Sequence, residues 1–245
     1  MRSANHEVLS FCADDAHGAP IMMKADELGI KPTDFIDQVK KSHEESLRRF
    51  GIRYTNYHST HSEENESLVS EIYMAAKSAG NIYKTDIEQC FDEEKQMFLA
   101  DRYVIGDCPK CGATNQYGDG CDVCGATYSA TELVNPKSAL SGTIPNKKIS
   151  EHVFFDLEKE KENLANFLKN SSIQSTIVSK LSEWLDDDLR GWDISRDSPY
   201  FGFQIPEENE KYFYVWVDAP IGYLSLIHIS EPTRRYAISY AVFCL

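Results

Sequence analysis

Two textures of apolar and polar residues follow one another along the chain. Val8-Leu9-Ser10-Phe11-Cys12 is a short apolar run that stops at Ala13-Asp14-Asp15-Ala16-His17-Gly18. Hydrophobic residues that end abruptly in acids and a glycine predict a buried strand delivering polar side chains at its carboxyl end, where open α/β sheets bind ligands. The strand begins close to Met1, so the earlier strand such a sheet normally carries is expected upstream. A helix is predicted from Pro20 to Leu28, with Gly29 as its stop. Pro32-Thr33 opens a second helix, with Ile36, Val39, His43, Leu47 and Phe50 at three- or four-residue spacing and Gly51 past its end. Arg53 to Tyr57 reads as a short strand. Thr60-His61-Ser62-Glu63 has the pattern of a capping box, and Leu68, Ile72, Ala75 and Ala79 lay an apolar stripe along the helix it starts. This is βα alternation.

After Asn81 the pattern breaks into short pieces, Met97-Phe98-Leu99 and Tyr103-Val104-Ile105, with Tyr128, Leu133 and Val134 further on. They predict the small strands of an inserted module. Val153 to Leu157 resumes a core strand. One helix then follows with Leu164, Phe167 and Leu168 on a face, and another with Ile177, Leu181, Trp184 and Leu185. Tyr212 to Val217 reads as the last strand and ends at Asp218-Ala219-Pro220. From Leu224 to Leu245 no helix pattern continues. The run Leu226 to Arg235 resembles translated sequencing adapter, so residues 224–245 are expected to be an artefactual tail.

With 245 residues, 42% of them apolar, the chain has enough material for a packed core. A formal charge of −14 opposes an extended nucleic-acid footprint, which needs clustered Lys and Arg. Neither a basic-then-apolar leader nor a run of about eighteen apolar residues occurs, and a cytoplasmic protein without a membrane span is expected.

The concentrated chemistry lies in the inserted module. Cys108-Pro109-Lys110-Cys111 and Cys121-Asp122-Val123-Cys124 are each followed by Gly-Ala, so one knuckle is written twice. The loop between them holds turn formers with little core potential, and a metal is needed to hold it together. Zinc suits four thiolates because it imposes no geometry of its own and its structural sites are closed Cys₄ cages. Iron, a redox pair or a disulfide cluster would use the same residues. The other cysteines, Cys12, Cys90 and Cys244, are scattered, which favours a metal site in a reducing compartment over a disulfide framework.

Several segments together resemble bacterial methionyl-tRNA synthetases, class I aminoacyl-tRNA synthetases. They are Phe11 to Gly18, Tyr57 to Asn65, the knuckle, Trp192-Asp193-Ile194-Ser195-Arg196-Asp197, and Tyr214 to Tyr223, in the family's order. The resemblance implies an α/β fold: an incomplete Rossmann-type catalytic domain interrupted by a connective domain that carries the zinc knuckle. Residues 1–61 would begin the catalytic domain, 62–213 form the insertion with the knuckle at 101–126, and 214–223 return to the catalytic domain.

The implied activity is a methionine–tRNA ligase, which joins methionine to ATP, with Mg²⁺, and passes the methionyl group to tRNA(Met). A homodimer, where one forms, would use C-terminal parts beyond this chain. Asp15 would pair with the ammonium group of methionine, which needs a countercharge on leaving water; taken alone it reads as a capping acid. Arg196 would hold that carboxylate, although a lone arginine reads as solvated surface. Trp216, Ala219, Pro220 and Tyr223 would surround the thioether, whose sulfur gains about 1 kcal/mol per aromatic contact; by themselves the aromatics read as core. His17 serves equally as a contributor near this pocket or as a structural histidine. The His-Ile-Gly-His and Lys-Met-Ser-Lys-Ser motifs of class I synthetases are absent from these 245 residues, so no catalytic residue is assigned and the chain as it stands is expected to be inactive. Three rivals make different predictions: a free-standing Cys₄ zinc interaction module, a class I synthetase for leucine, isoleucine or valine, and a dithiol redox protein.

Overall fold

The polar residues that close the first apolar run stand at the end of a small parallel sheet. The computed structural model describes residues 8–170, 173–186 and 189–230. In it β1 (Phe11–Asp14) runs parallel to β2 (Asn56–Ser59), with Asp14 opposite Ser59. Each strand lies downstream of its expected position, because pairing sets the register: Thr55 and Asn56 bond to the Ser10 carbonyl before the ladder starts. Between them, α1 (Ala19–Leu28) ends on Gly29 at φ 65°, and α2 (Pro32–Arg49) is followed by Gly51 at φ 73°. Both glycine stops fall where the sequence places them.

After β2, α3 (Glu63–Ser78) is capped by Ser62, whose hydroxyl accepts the Asn65 N–H, and not by Thr60. The Thr60 hydroxyl is turned inward and accepts the Ala16 N–H at 2.9 Å. The buried stripe is Asn65, Val69 and Tyr73, while Ile72 of the expected stripe faces solvent. Val69 and Tyr73 win because they meet Val153, Ile194, Phe203, Ile205 and Phe213 of the following segment.

That segment is built on a long hairpin. β3 (Ile82–Asp92) is followed by β4 (Met97–Phe98), β5 (Val104–Asp107), β6 (Gln116–Tyr117), β7 (Val134–Ser138) and β8 (Asn146–Phe155). β3 and β8 pair antiparallel from Ile82 opposite Phe155 to Phe91 opposite Asn146. The sequence pattern shows only fragments here because the middle of β3 is exposed, so polar residues such as Lys84, Thr85, Asp86 and Glu88 remove the two-residue alternation. After α4 (Lys161–Asn170) and α5 (Ser175–Asp186), β9 (Trp192–Asp193) completes a sheet of order β4-β3-β8-β9. The second sheet, β6-β5-β7, carries the knuckle. A core of Cys90, Met97, Leu99, Tyr103, Val104, Ala130 and Leu133 reaches back to Ala19 of α1, whose carbonyl accepts the Tyr103 hydroxyl.

β10 (Ser195–Asp197) and β11 (Lys211–Phe213) form a last hairpin, and α6 (Val215–Ser230) follows at once. The strand expected at 212–217 therefore stops at Phe213. Its aromatic and β-branched residues belong half to β11 and half to the first turn of a helix. That helix continues through the region read as patternless, and Ser225 and Leu226 are buried. The rest of the expected tail, from residue 231, lies outside the described residues. Among the described residues no helix is long and apolar enough to cross a membrane.

Candidate functional site

Helix α6 sorts its residues by the helical period. Asp218, Gly222, Ser225 and Leu226 are buried against β1, β2 and α3. Trp216, Ala219, Pro220 and Tyr223 recur at i, i+3, i+4 and i+7, so all four residues expected around a side chain share one helix face. That face is half-buried and Trp216 is exposed. Pro220 leaves the Trp216 carbonyl without its usual helical donor, a position at which helices bend.

Asp15 stands just beyond β1 and is open to solvent. Its pKa is nevertheless raised to about 6, first by the protein packed round the carboxyl and then by repulsion from Asp218. For so exposed a side chain the upward direction is what matters: the carboxylate gains from a cation placed beside it.

Behind Asp15 lies a buried line of polar groups. His17 Nδ1 is 2.6 Å from Asp218 Oδ2 and His17 Nε2 is 2.9 Å from His61 Nδ1. His17 stands edge-on to Phe203 and Phe201, and His61 lies nearly parallel to Phe203. Burial raises the Asp218 carboxyl, opposed by its bond to His17, and burial together with His17 lowers the pKa of His61. Asn65 donates to the carbonyls of Thr60 and Asp218, tying α3 to α6. Asp218, His61 and Asn65 belong to the site's framework but are not singled out by the sequence. No spacing rule connects His17 to an acid 201 positions away.

Arg196 does not reach Asp15. Among the described residues no ion pair joins the two; Arg196 Nη1 donates to the Ser195 carbonyl at 2.6 Å and to Asp193 Oδ2 at 3.3 Å. Its guanidinium lies 3.9 Å from the centre of the Tyr214 ring. The acid three residues upstream and a flat aromatic face satisfy it locally. Asp193 also meets His152 Nδ1 at 2.8 Å, and His152 Nε2 is 2.9 Å from Asp197 Oδ2, so a fully buried histidine bridges two acids. Burial opposes its charge, but the two carboxylates raise its pKa overall.

The knuckle closes as its repeat demands. Gly112 and Gly125, at φ 74° and 71°, curl each turn back so that their N–H groups bond to the carbonyls of Cys108 and Cys121. Lys110 and Cys111 donate backbone N–H groups to the Cys108 sulfur, and Cys124 donates to the Cys121 sulfur. The four Sγ atoms of Cys108, Cys111, Cys121 and Cys124 lie within 4.8 Å of one another, with two pairs at 3.8 and 3.7 Å. A tetrahedron with metal–sulfur bonds of about 2.3 Å has edges of about 3.8 Å. The donor set and its spacing fit one metal ion.

Comparison with known proteins agrees with this architecture. A family model described as tRNA synthetases class I (M) matches residues 1–239. Two structures of Mycobacterium tuberculosis methionyl-tRNA synthetase with methionyl-adenylate superimpose with TM-scores of 0.67 and 0.66 at 17% and 18% identity, each covering 95% of this chain. The ligand-free form of that enzyme superimposes at 0.52 with 17% identity, covering 82% of this chain and 36% of its own. This chain spans 42% of the length of the first two. Likeness at that identity concerns the fold alone, but the family match runs through nearly every residue of the sheet, the knuckle insertion and α6. The chain belongs to the class I tRNA synthetases of the (M) family.

Proposed function

We propose that this chain carries the methionine site and the zinc knuckle of a cytoplasmic methionine–tRNA ligase, whose further partners are ATP with Mg²⁺ and tRNA(Met). The observation that carries the reading is the single α6 face formed by Trp216, Ala219, Pro220 and Tyr223, on a helix packed against the strand that presents Asp15. The methionyl-adenylate in the M. tuberculosis structures supports it by analogy of fold.

Asp15 takes the ammonium group of the amino acid, and its raised pKa makes that pairing favourable. The α6 face takes the side chain, where aromatic rings favour a polarizable thioether over a branched aliphatic one. Arg196 stays with Asp193 in this geometry, and an approach to Asp15 would require it to leave that partner. The Cys₄ knuckle would hold Zn²⁺, which supplies folding free energy to the small β6-β5-β7 sheet. The domain division at residues 61, 213 and 223 remains part of this reading.

These 245 residues contain neither of the two class I signature motifs that stabilise charge on the triphosphate, so this chain alone should not form the adenylate. Calorimetric titration of the purified chain tests the reading. Saturable methionine binding, weakened at least about tenfold by Asp15→Asn and not displaced by leucine, is expected. Equal affinity for leucine, or none for methionine, would overturn it. Methionine-dependent exchange between pyrophosphate and ATP would refute the inactivity of this chain.

A further inference from the structure

Asp218 sits on the inner side of α6, opposite the face of Trp216, Ala219, Pro220 and Tyr223, and is completely buried. Among the described residues its Oδ1 has no partner, and its Oδ2 meets His17 Nδ1. From there the line continues through His17 Nε2 to His61 Nδ1. It crosses from α6, through the loop that carries Asp15 two residues before His17, to the start of α3.

With His17 neutral, counting protons along this line assigns every role. A carboxylate only accepts, so His17 Nδ1 bears a hydrogen and donates it to Asp218. A neutral imidazole has one N–H, so His17 Nε2 accepts and His61 Nδ1 donates. His61 Nε2 is then a lone pair at the half-buried end of the line. The groups facing His17 are Asp218 from α6, His61 from the β2–α3 junction, the rings of Phe201 and Phe203 from the β10–β11 hairpin, and Asp15 of its own loop. With both tautomers set, the spacing between α6 and the Asp15 loop is set by the 2.6 Å His17–Asp218 hydrogen bond as well as by packing, and the 2.9 Å bond to His61 fixes the imidazole that makes it.

We propose that Asp218 and His17 are positioning residues of the amino-acid site: they hold the side-chain face of α6 and the Asp15 carboxylate in one register, so that the two ends of one amino acid are read together. This rests on the methionine reading above. A tie that served stability alone would not change which ligand is preferred. A tie that sets register must change the preference for a ligand that uses both ends over one that uses a single end. Methionine and its des-amino analogue, 4-(methylthio)butanoate, make that comparison.

The test uses the intact chain. Long-range ¹H–¹⁵N NMR at pH 8 should find hydrogen on Nδ1 of both His17 and His61; hydrogen on Nε2 of His17 overturns the line. Asp218→Ala, which deletes the acceptor of the His17 Nδ1 hydrogen, should lower methionine affinity about tenfold and remove most of the preference over the des-amino analogue. An unchanged preference overturns the positioning role. Should that variant not fold, Asp218→Leu fills the volume and also lacks an acceptor for His17 Nδ1: a reduced preference supports the role and an unchanged one overturns it. If the parent chain binds no methionine, the methionine reading fails and the positioning role with it, while the NMR result still decides whether the hydrogen-bonded line exists.

Discussion

Gly222 offers a test of how closely α6 is held to the sheet. A Cβ at this position would lie 3.1 Å from Thr60 Cγ2 and 3.8 Å from Asn65 Nδ2. Two effects oppose each other in Gly222→Ala. Alanine in a helix interior is better than glycine by about 0.5–1 kcal/mol, because the glycine backbone loses more entropy on folding. Against this, the new methyl falls well inside the optimal carbon–carbon separation of about 3.5–4.0 Å. Whether the clash can relax depends on Thr60, which is anchored twice: its hydroxyl accepts from Ala16 and its N–H bonds to the Asp14 carbonyl, both at 2.9 Å. Asn65 is clamped in turn by the Thr60 and Asp218 carbonyls. Overpacking against such neighbours costs about 1–3 kcal/mol, so the substitution should destabilise by about 1 kcal/mol net. Thr60→Ser keeps the hydroxyl and removes the obstructing methyl; in that background Gly222→Ala should become neutral or stabilising. Urea unfolding followed by circular dichroism across the four proteins of the cycle measures the coupling, expected at about 1 kcal/mol or more. A Gly222→Ala chain more stable than its parent, or a penalty untouched by Thr60→Ser, would refute the close-packing argument.

Other outcomes follow from the same geometry. Elemental analysis should find one zinc per chain, and Cys121→Ser should abolish it and release the β6-β5-β7 sheet, seen as loss of amide protection confined to residues near 104–138. Gly112→Ala must adopt a left-handed backbone at φ 74°, which costs about 1 kcal/mol and should weaken metal retention against a chelator. For Asp15, whose pKa is raised from 3.8 to about 6, the folded state holds its proton more tightly; stability of the free chain should therefore fall as pH rises through that window. A bound ammonium favours the carboxylate, so methionine affinity should rise over the same window and level off above about pH 6, and Asp15→Asn should flatten this slope in calorimetry. His152→Ala removes one hydrogen-bond partner from each of two acids, Asp193 keeping Arg196 and Asp197 keeping Lys211, and should destabilise by about 1–3 kcal/mol in thermal or urea unfolding. Since the His152 pKa is raised, its contribution should be complete below about pH 6.5 and fade as pH rises through the folded value.

How much of this was legible in advance depended on whether local chemistry was sufficient. The knuckle was readable because each thiol pair, its following glycine and the short loop act within one turn, and the structure brings all four sulfurs together. Gly29 and Gly51 were readable as helix stops for the same reason. The α3 cap was misplaced because Thr60 and Ser62 both suit the role, and only the approach of Ala16 draws Thr60 away from it. The strand expected at 212–217 failed because aromatic and β-branched residues, though typical of strands, also serve in the half-buried first turn of a helix.

The sequence by itself thus determined the βα alternation, the inserted metal knuckle and the family to which the chain belongs, since each is encoded in neighbours along the chain or in ordered segments. Only the tertiary structure decided that α6 is a helix presenting Trp216, Ala219, Pro220 and Tyr223 together, that Arg196 pairs with Asp193 rather than Asp15, and that Asp218, His17 and His61 share a line of hydrogen bonds. Those choices turn on which of several competent partners comes within about 3 Å. Distance between groups remote in sequence is set by packing, and no local pattern of residue types contains it.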